Sequence, residues 1–112
     1  MMMGERDHTR RRYPAATRDA NGFLVRGTPV DTTIRAAVQP ASGRQLERLP
    51  EGLRSAVTKV AYTFADLRTA DQATAQQPDE MVVDGEVFQV ERVVTYDDTW
   101  PVTEAYLQKV GP

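Results

Sequence analysis

Apolar and polar residues alternate along several stretches of this chain, and a period of two is the signature of a strand with one buried face. In residues 32–39, Thr32, Ile34, Ala36 and Val38 fall on one side and Thr33, Arg35 and Gln39 on the other, and Pro40 closes the run. Residues 55–64 alternate again, with Ala56, Thr58, Val60, Tyr62 and Phe64 opposite Val57, Lys59, Ala61 and Thr63. Further on, Met81-Val82-Val83 and Val87-Phe88-Gln89-Val90 flank Asp84-Gly85. That pair suits a type I′ hairpin turn, because both central residues need positive φ. The second hairpin strand runs on to Tyr96. Ten straight residues would cover about 33 Å, more than a small core needs, so a bend or bulge is expected. A turn over 97–101 and a last strand over 105–110 complete the series.

Other segments carry different signals. Residues 1–20 are polar, arginine-rich and aperiodic, and Pro14 interrupts them, which predicts an extended basic arm, flexible in the lone chain. Asn21-Gly22 marks a turn, and Phe23 and Val25 before the Gly27-Thr28-Pro29 break suggest one short strand. Ser42 with Gln45 has capping-box spacing, and Leu46 and Leu49 sit one turn apart before Pro50. One short helical turn is expected there, stopped by the proline. Residues 66–77 hold almost no large apolar side chain, so a long polar loop is placed at 65–80. Together these elements predict a mainly β fold: a small antiparallel barrel or sandwich of five to six strands over 21–112, preceded by the 1–20 arm. At 112 residues one modest core can form.

Composition narrows the chemistry. The chain has no cysteine, which excludes disulfides and thiolate sites, and one histidine, His8, read as a plain surface residue. No apolar run approaches the roughly 20 residues of a membrane helix. The basic start has no apolar stretch behind it, so it is read as no secretory signal, and the chain as made in a reducing cytosol and either kept or built into a particle there. The net charge of −2 is unevenly spread. Residues 1–27 carry six arginines against Glu5, Asp7 and Asp19, a balance of +3, whereas 66–104 carry ten carboxylates against Arg68 and Arg92, a balance of −8. Such segregation fits subunits stacked head to tail, a surface facing an anion, or merely solvated faces.

The sequence offers little for catalysis. The serines, Ser42 and Ser55, stand in no nucleophile elbow, and the histidine lies in the basic segment. Asp79, Glu80, Asp84 and Glu86 cluster, yet the turn explains Asp84, and calcium-loop spacing and Gly-rich phosphate loops are missing. No enzyme activity, cofactor or metal is expected. Arg10, Arg11 and Arg12 beside Tyr13 could meet phosphates or dock on an acidic patch of a neighbour. Trp100 and Tyr106 read as core or rim residues.

From Ile34 onward the chain resembles the head–tail joining proteins of long-tailed bacteriophages, also called head-closure or stopper proteins. The likeness runs through Ile34-Arg35-Ala36-Ala37-Val38-Gln39-Pro40, Ser42-Gly43-Arg44-Gln45-Leu46 and Leu49-Pro50-Glu51-Gly52. It continues in Tyr62-Thr63, Leu67-Arg68-Thr69-Ala70-Asp71, Asp84-Gly85-Glu86-Val87-Phe88-Gln89-Val90 and Tyr106, spanning about residues 22–110. Phe88 departs from an expected tyrosine, and the arginine-rich start has no counterpart.

The resemblance implies a virion protein of the phage neck with no active site. It would be a small barrel with one long loop, assembled as a homo-oligomeric ring, hexameric or dodecameric. A portal or adaptor protein would sit above the ring and a tail terminator or tail tube protein below. Genomic DNA would pass without sequence-specific contact, and no membrane is involved.

Three expectations follow. Loop 65–80 projects into the lumen or onto a neighbour, Asp66, Asp71, Asp79 and Glu80 face the channel, and Arg10, Arg11 and Arg12 order on a partner ring. Sheet-edge pairing is a candidate for the heterologous contact a ring requires. Rival readings are another neck or tail component, such as a tail terminator or adaptor, and a small nucleic-acid-binding barrel of the oligonucleotide-binding type.

Overall fold

In a computed structural model, which describes residues 4–71, 73–74, 76–96 and 101–110, Asp84 and Gly85 have φ of 51° and 81°. They form the tight turn between β6 (Glu80–Val83) and β7 (Glu86–Thr95). Strand β7 then shifts register against β8 (Thr103–Lys109) between Val90 and Arg92. This is the bulge its length called for, and it lets one strand serve a curved sheet. The expected turn at 97–101 and Trp100 fall largely or wholly outside the described residues.

The period-two segment near residue 34 is β4 (Val30–Pro40), with Ile34 and Ala36 buried. The next is β5 (Val57–Thr63). Its faces do not separate as simply as alternation suggests, since Val60 and Ala61 are both fully buried. A register shift against β8 between Val57 and Lys59 is one cause, and a covered outer face is the other. Ser42 caps α1 (Gly43–Glu47) through the expected capping box with Gln45. Pro50 ends that turn but also opens a second, α2 (Glu51–Arg54), because a fixed φ suits a helix start. Leu49, Val57, Val60 and Tyr106 pack under these two turns, with Leu46 and Leu53 against them.

The main correction concerns residues 1–20. Far from a flexible arm, residues Arg6–Arg12 form β1, paired along seven positions with β4 and along three with β6. Six antiparallel strands thereby close in the order β1-β4-β5-β8-β7-β6. β1 has no apolar side chain, so no hydrophobic period could reveal it. Two backbone ladders and cross-strand charges hold it instead. Arg11 lies opposite Asp31 and bonds it at 3.0 Å, and Asp7 lies opposite Arg35 at 3.5 Å. His8 is accordingly a half-buried strand residue facing Ile34 across the ladder.

The barrel interior is filled. Phe88, Met81, Leu107 and Val90 are at most 1% exposed, and Ile34, Ala36, Ala61, Val83 and Ala105 complete the cluster. Leu67, from the β5–β6 connection, plugs into the same core. Two excursions leave the barrel. One holds the short hairpin of β2 (Thr17–Arg18) and β3 (Leu24–Val25), turned at the positive-φ Gly22. Gly27 lies so close to Pro14 that a Cβ there would stand 2.3 Å from the proline Cγ. The other is the β5–β6 connection itself. Side chains from both line shared grooves, so they lie side by side, and the molecule is elongated, 48 × 32 × 31 Å.

Candidate functional site

The base of the β5–β6 excursion is built around Asp79, which is wholly buried. Its backbone N–H donates to the Arg68 carbonyl at 2.9 Å, and its Oδ2 accepts from the Arg68 N–H at 2.8 Å. Its carbonyl accepts from Val90. Two donors of Arg12 complete the shell, Nε to Oδ1 at 2.9 Å and Nη2 to Oδ2 at 2.7 Å. This side-on, bidentate pair matches the planar guanidinium to the carboxylate and holds Arg12 charged, its pKa raised first by the hydrogen bond to Asp79. Beyond the neck, Asp71 and Gln76 exchange backbone hydrogen bonds, and Gln76 Nε2 reaches the Thr69 carbonyl. The polar loop is therefore laced through its stem.

Around this bracket stand the other residues singled out in the sequence. Arg12 Nη2 also reaches Asp66 Oδ2 at 3.3 Å, and Arg10 Nη1 donates to the Asp66 carbonyl at 3.0 Å. Glu80, only 5% exposed, accepts from the Tyr13 hydroxyl at 3.1 Å, while Arg26 lies 3.6 Å over the Tyr13 ring and 4.0 Å from Glu80. Burial first, then the bond to Glu80, raises the Tyr13 pKa.

These positions correct two expectations. Asp66 and Asp71 are exposed, but Asp79 and Glu80 are spent inside the chain and present no charge to any lumen. The four do not form one acidic surface. Likewise Arg11 and Arg12 are already paired with Asp31 and Asp79 of their own chain, and Arg10 donates to the neutral Asp66 carbonyl. The physical reason is common to both. An arginine-bearing strand closing the barrel between β4 and β6 must neutralise its charges where it lies: Asp31 and Asp79 pair with Arg11 and Arg12, and Glu80 is taken up by Tyr13 and Arg26.

A second polar cluster, not anticipated from sequence, sits on the outer face of β5, β8 and β7. Glu104, 5% exposed, accepts from the hydroxyls of Tyr106 and Tyr96. Tyr62 stands directly across the ladder from it. Gln45 Nε2 donates to the Tyr62 hydroxyl, tying α1 to the group. Burial, then the bond and charge of Glu104, pushes the Tyr106 pKa far up, and burial with Glu104 also raises Tyr62 and Tyr96. Keeping three phenols neutral around one carboxylate makes this a hydrogen-bonded clamp between helix and sheet. The signal in sequence was the i, i+2 spacing of Glu104 and Tyr106, which puts both on one strand face.

Among the described residues, no group of three or more His, Cys, Asp or Glu side chains could hold a metal, and no helix is long and apolar enough to cross a membrane. Searched against protein-family models and curated proteins, the chain matches none.

Proposed function

We propose that this chain is a structural protein of the phage neck, a non-catalytic subunit of a homo-oligomeric ring that joins the portal or adaptor of the DNA-filled head to the tail. What supports this reading is the resemblance over residues 22–110 together with the closed six-stranded barrel and long β5–β6 excursion that such a resemblance implies. The observation that carries most is the packed interior. With Phe88, Met81 and Leu107 filling the lumen, no ligand can enter the barrel, so the outer surface and the two excursions must do the work.

A ring built from one chain needs two different patches that meet. The barrel closes within one chain, and pairing along the stretches it leaves open stays a candidate for that contact. Among the described residues, strand edges are left on the β2–β3 hairpin, along 30–35, where β5 reaches β4 only from Ala36, along 92–95, where β6 reaches β7 only to Gln89, and along 6–8, where β6 reaches β1 only from Thr9. The hairpin also exposes Phe23 at 70% and Leu24 at 63%, an apolar tip that suits burial by a neighbouring subunit. In the ring, Asp71 remains an exposed loop carboxylate that would repel passing DNA, whereas Asp66 is neutralised by Arg12 and Arg68.

The test is a mass measurement of the purified chain alone and after mixing with portal-bearing heads. Rings, or stoichiometric addition of chains to the heads, are expected. A chain that stays monomeric and leaves the heads unchanged overturns the proposal. A salt-sensitive gel shift of single-stranded DNA by the lone monomer would favour the nucleic-acid-binding barrel.

A further inference from the structure

A groove of about 500 Å3 lies between the two excursions, lined by Arg10 and Arg12 of β1, Val30 of β4, Tyr13 and Pro14 of the first excursion and Arg68 of the second, among others. That volume lies within the roughly 300–1,000 Å3 of ligand sites. Its charge can be counted. Three guanidinium groups face two carboxylates, Asp79 bound by Arg12 and Asp66 shared between Arg12 and Arg68 at 3.3 and 3.5 Å, and Arg26 offsets Glu80 close by. One positive charge is left over. Arg10 is the group short of an acceptor. Its Nη1 bonds a neutral carbonyl, and its Nε is buried with no hydrogen-bond partner among the described residues. A buried donor left unpaired costs about 1–3 kcal/mol, so an acceptor arriving from outside has something to gain.

The chemistry of that acceptor follows from the rest of the lining. A nucleic-acid strand brings a charge with every phosphate and needs a run of uncommitted cations, whereas this groove offers a single surplus charge with the exposed Asp66 at its rim. A lone carboxylate matches it. Val30 is 64% exposed and, with Pro14 and Ala15 of the same lining, supplies an apolar floor for the side chain next to that carboxylate. We propose that the groove binds an extended acidic peptide segment of a partner protein, its carboxylate held by Arg10 and Arg68 and its neighbouring side chain packed on Pro14, Ala15 and Val30. Turning Arg10 to meet the carboxylate through Nε and one Nη would reproduce the side-on geometry that Arg12 already makes with Asp79. The inference stands apart from the neck reading, because it concerns the isolated chain.

The probe is a fluorescein-labelled, C-amidated hexapeptide of valine and threonine with a single central glutamate, titrated into the full chain and followed by anisotropy, with the same peptide carrying glutamine for the glutamate as control. The acidic peptide should bind at least about tenfold more tightly, the size of one charge-assisted hydrogen bond. Arg10→Met should abolish that difference, and Arg68→Gln, at a half-exposed side chain, should reduce it several-fold in a chain that still folds. Inorganic phosphate and oligothymidylate should displace the peptide only at concentrations well above its own. Equal binding of the two peptides, an unchanged preference in Arg68→Gln, or displacement by oligothymidylate below the peptide concentration would each overturn the assignment.

Discussion

Replacing Asp79 by asparagine keeps the side-chain volume and removes the charge from the most enclosed ion pair of the molecule. Asp79 is wholly buried and accepts three hydrogen bonds, two from Arg12 and one from the Arg68 N–H. Asparagine retains one accepting oxygen and turns an amine toward a donor. Breaking a fully buried pair by losing one partner costs about 3–5 kcal/mol. Here the Arg12 side chain keeps 21% of its surface in water, and Asp66 shares its Nη2, so the cation left behind is partly compensated. The loss expected is therefore about 2–4 kcal/mol, or a fall in Tm of about 10–20 °C for a domain of this length.

Two readouts separate this mechanism from a generic core defect. In a double-mutant cycle by urea denaturation, Asp79→Asn and Arg12→Met should couple by more than about 1 kcal/mol, because each removes the same contact. Amide exchange should rise at Arg68 and Gln76, since Asp79 closes the neck of their excursion. A loss below about 0.5 kcal/mol, or strict additivity with Arg12→Met, would refute the reasoning.

Further outcomes follow from other parts of the structure. Deleting residues 1–12 removes β1 and opens the ladders of β4 and β6, so the shortened chain should aggregate or unfold in circular dichroism; retention of the full-length Tm would show that the barrel does not need this strand. Because burial and Glu104 raise the Tyr106 pKa above its ordinary value of 10, the folded state holds that proton more tightly than the unfolded one. The contribution of Tyr106 to stability should then be constant below about pH 10 and decline above it, and Tyr106→Phe should blunt the decline in alkaline denaturation curves. Gly27→Ala would drive a methyl against the Pro14 ring, and about 1–3 kcal/mol of destabilisation or a detached hairpin is expected. Unchanged stability and unchanged amide exchange at Phe23 would contradict that contact.

Much of the barrel was legible because its strands announce themselves locally. Ile34 and Ala36 alternate with polar neighbours, Asp84-Gly85 demands a turn, and a strand as long as β7 must bend somewhere. Ser42 and Gln45 carry their capping in their own spacing. These are short-range constraints of sterics and period, and they hold wherever the segment is placed.

What could not be read locally is whatever depends on which segments become neighbours. Strand β1 is Arg-Asp-His-Thr-Arg-Arg-Arg, a composition that alone favours disorder. It becomes ordered because β4 and β6 stand apart by one strand and offer it two ladders, with Asp31 and Asp79 placed for its guanidinium groups. The same closure turned Asp79 and Glu80 from presumed surface charges into buried ligands of Arg12, Tyr13 and Arg26. Local alternation of apolar residues thus settled that the chain would form strands and turns. Closure into a barrel, and with it the choice of which charges are satisfied within and which face outward, was decided by long-range pairing, since an ion pair spanning 67 residues has no signature at either end.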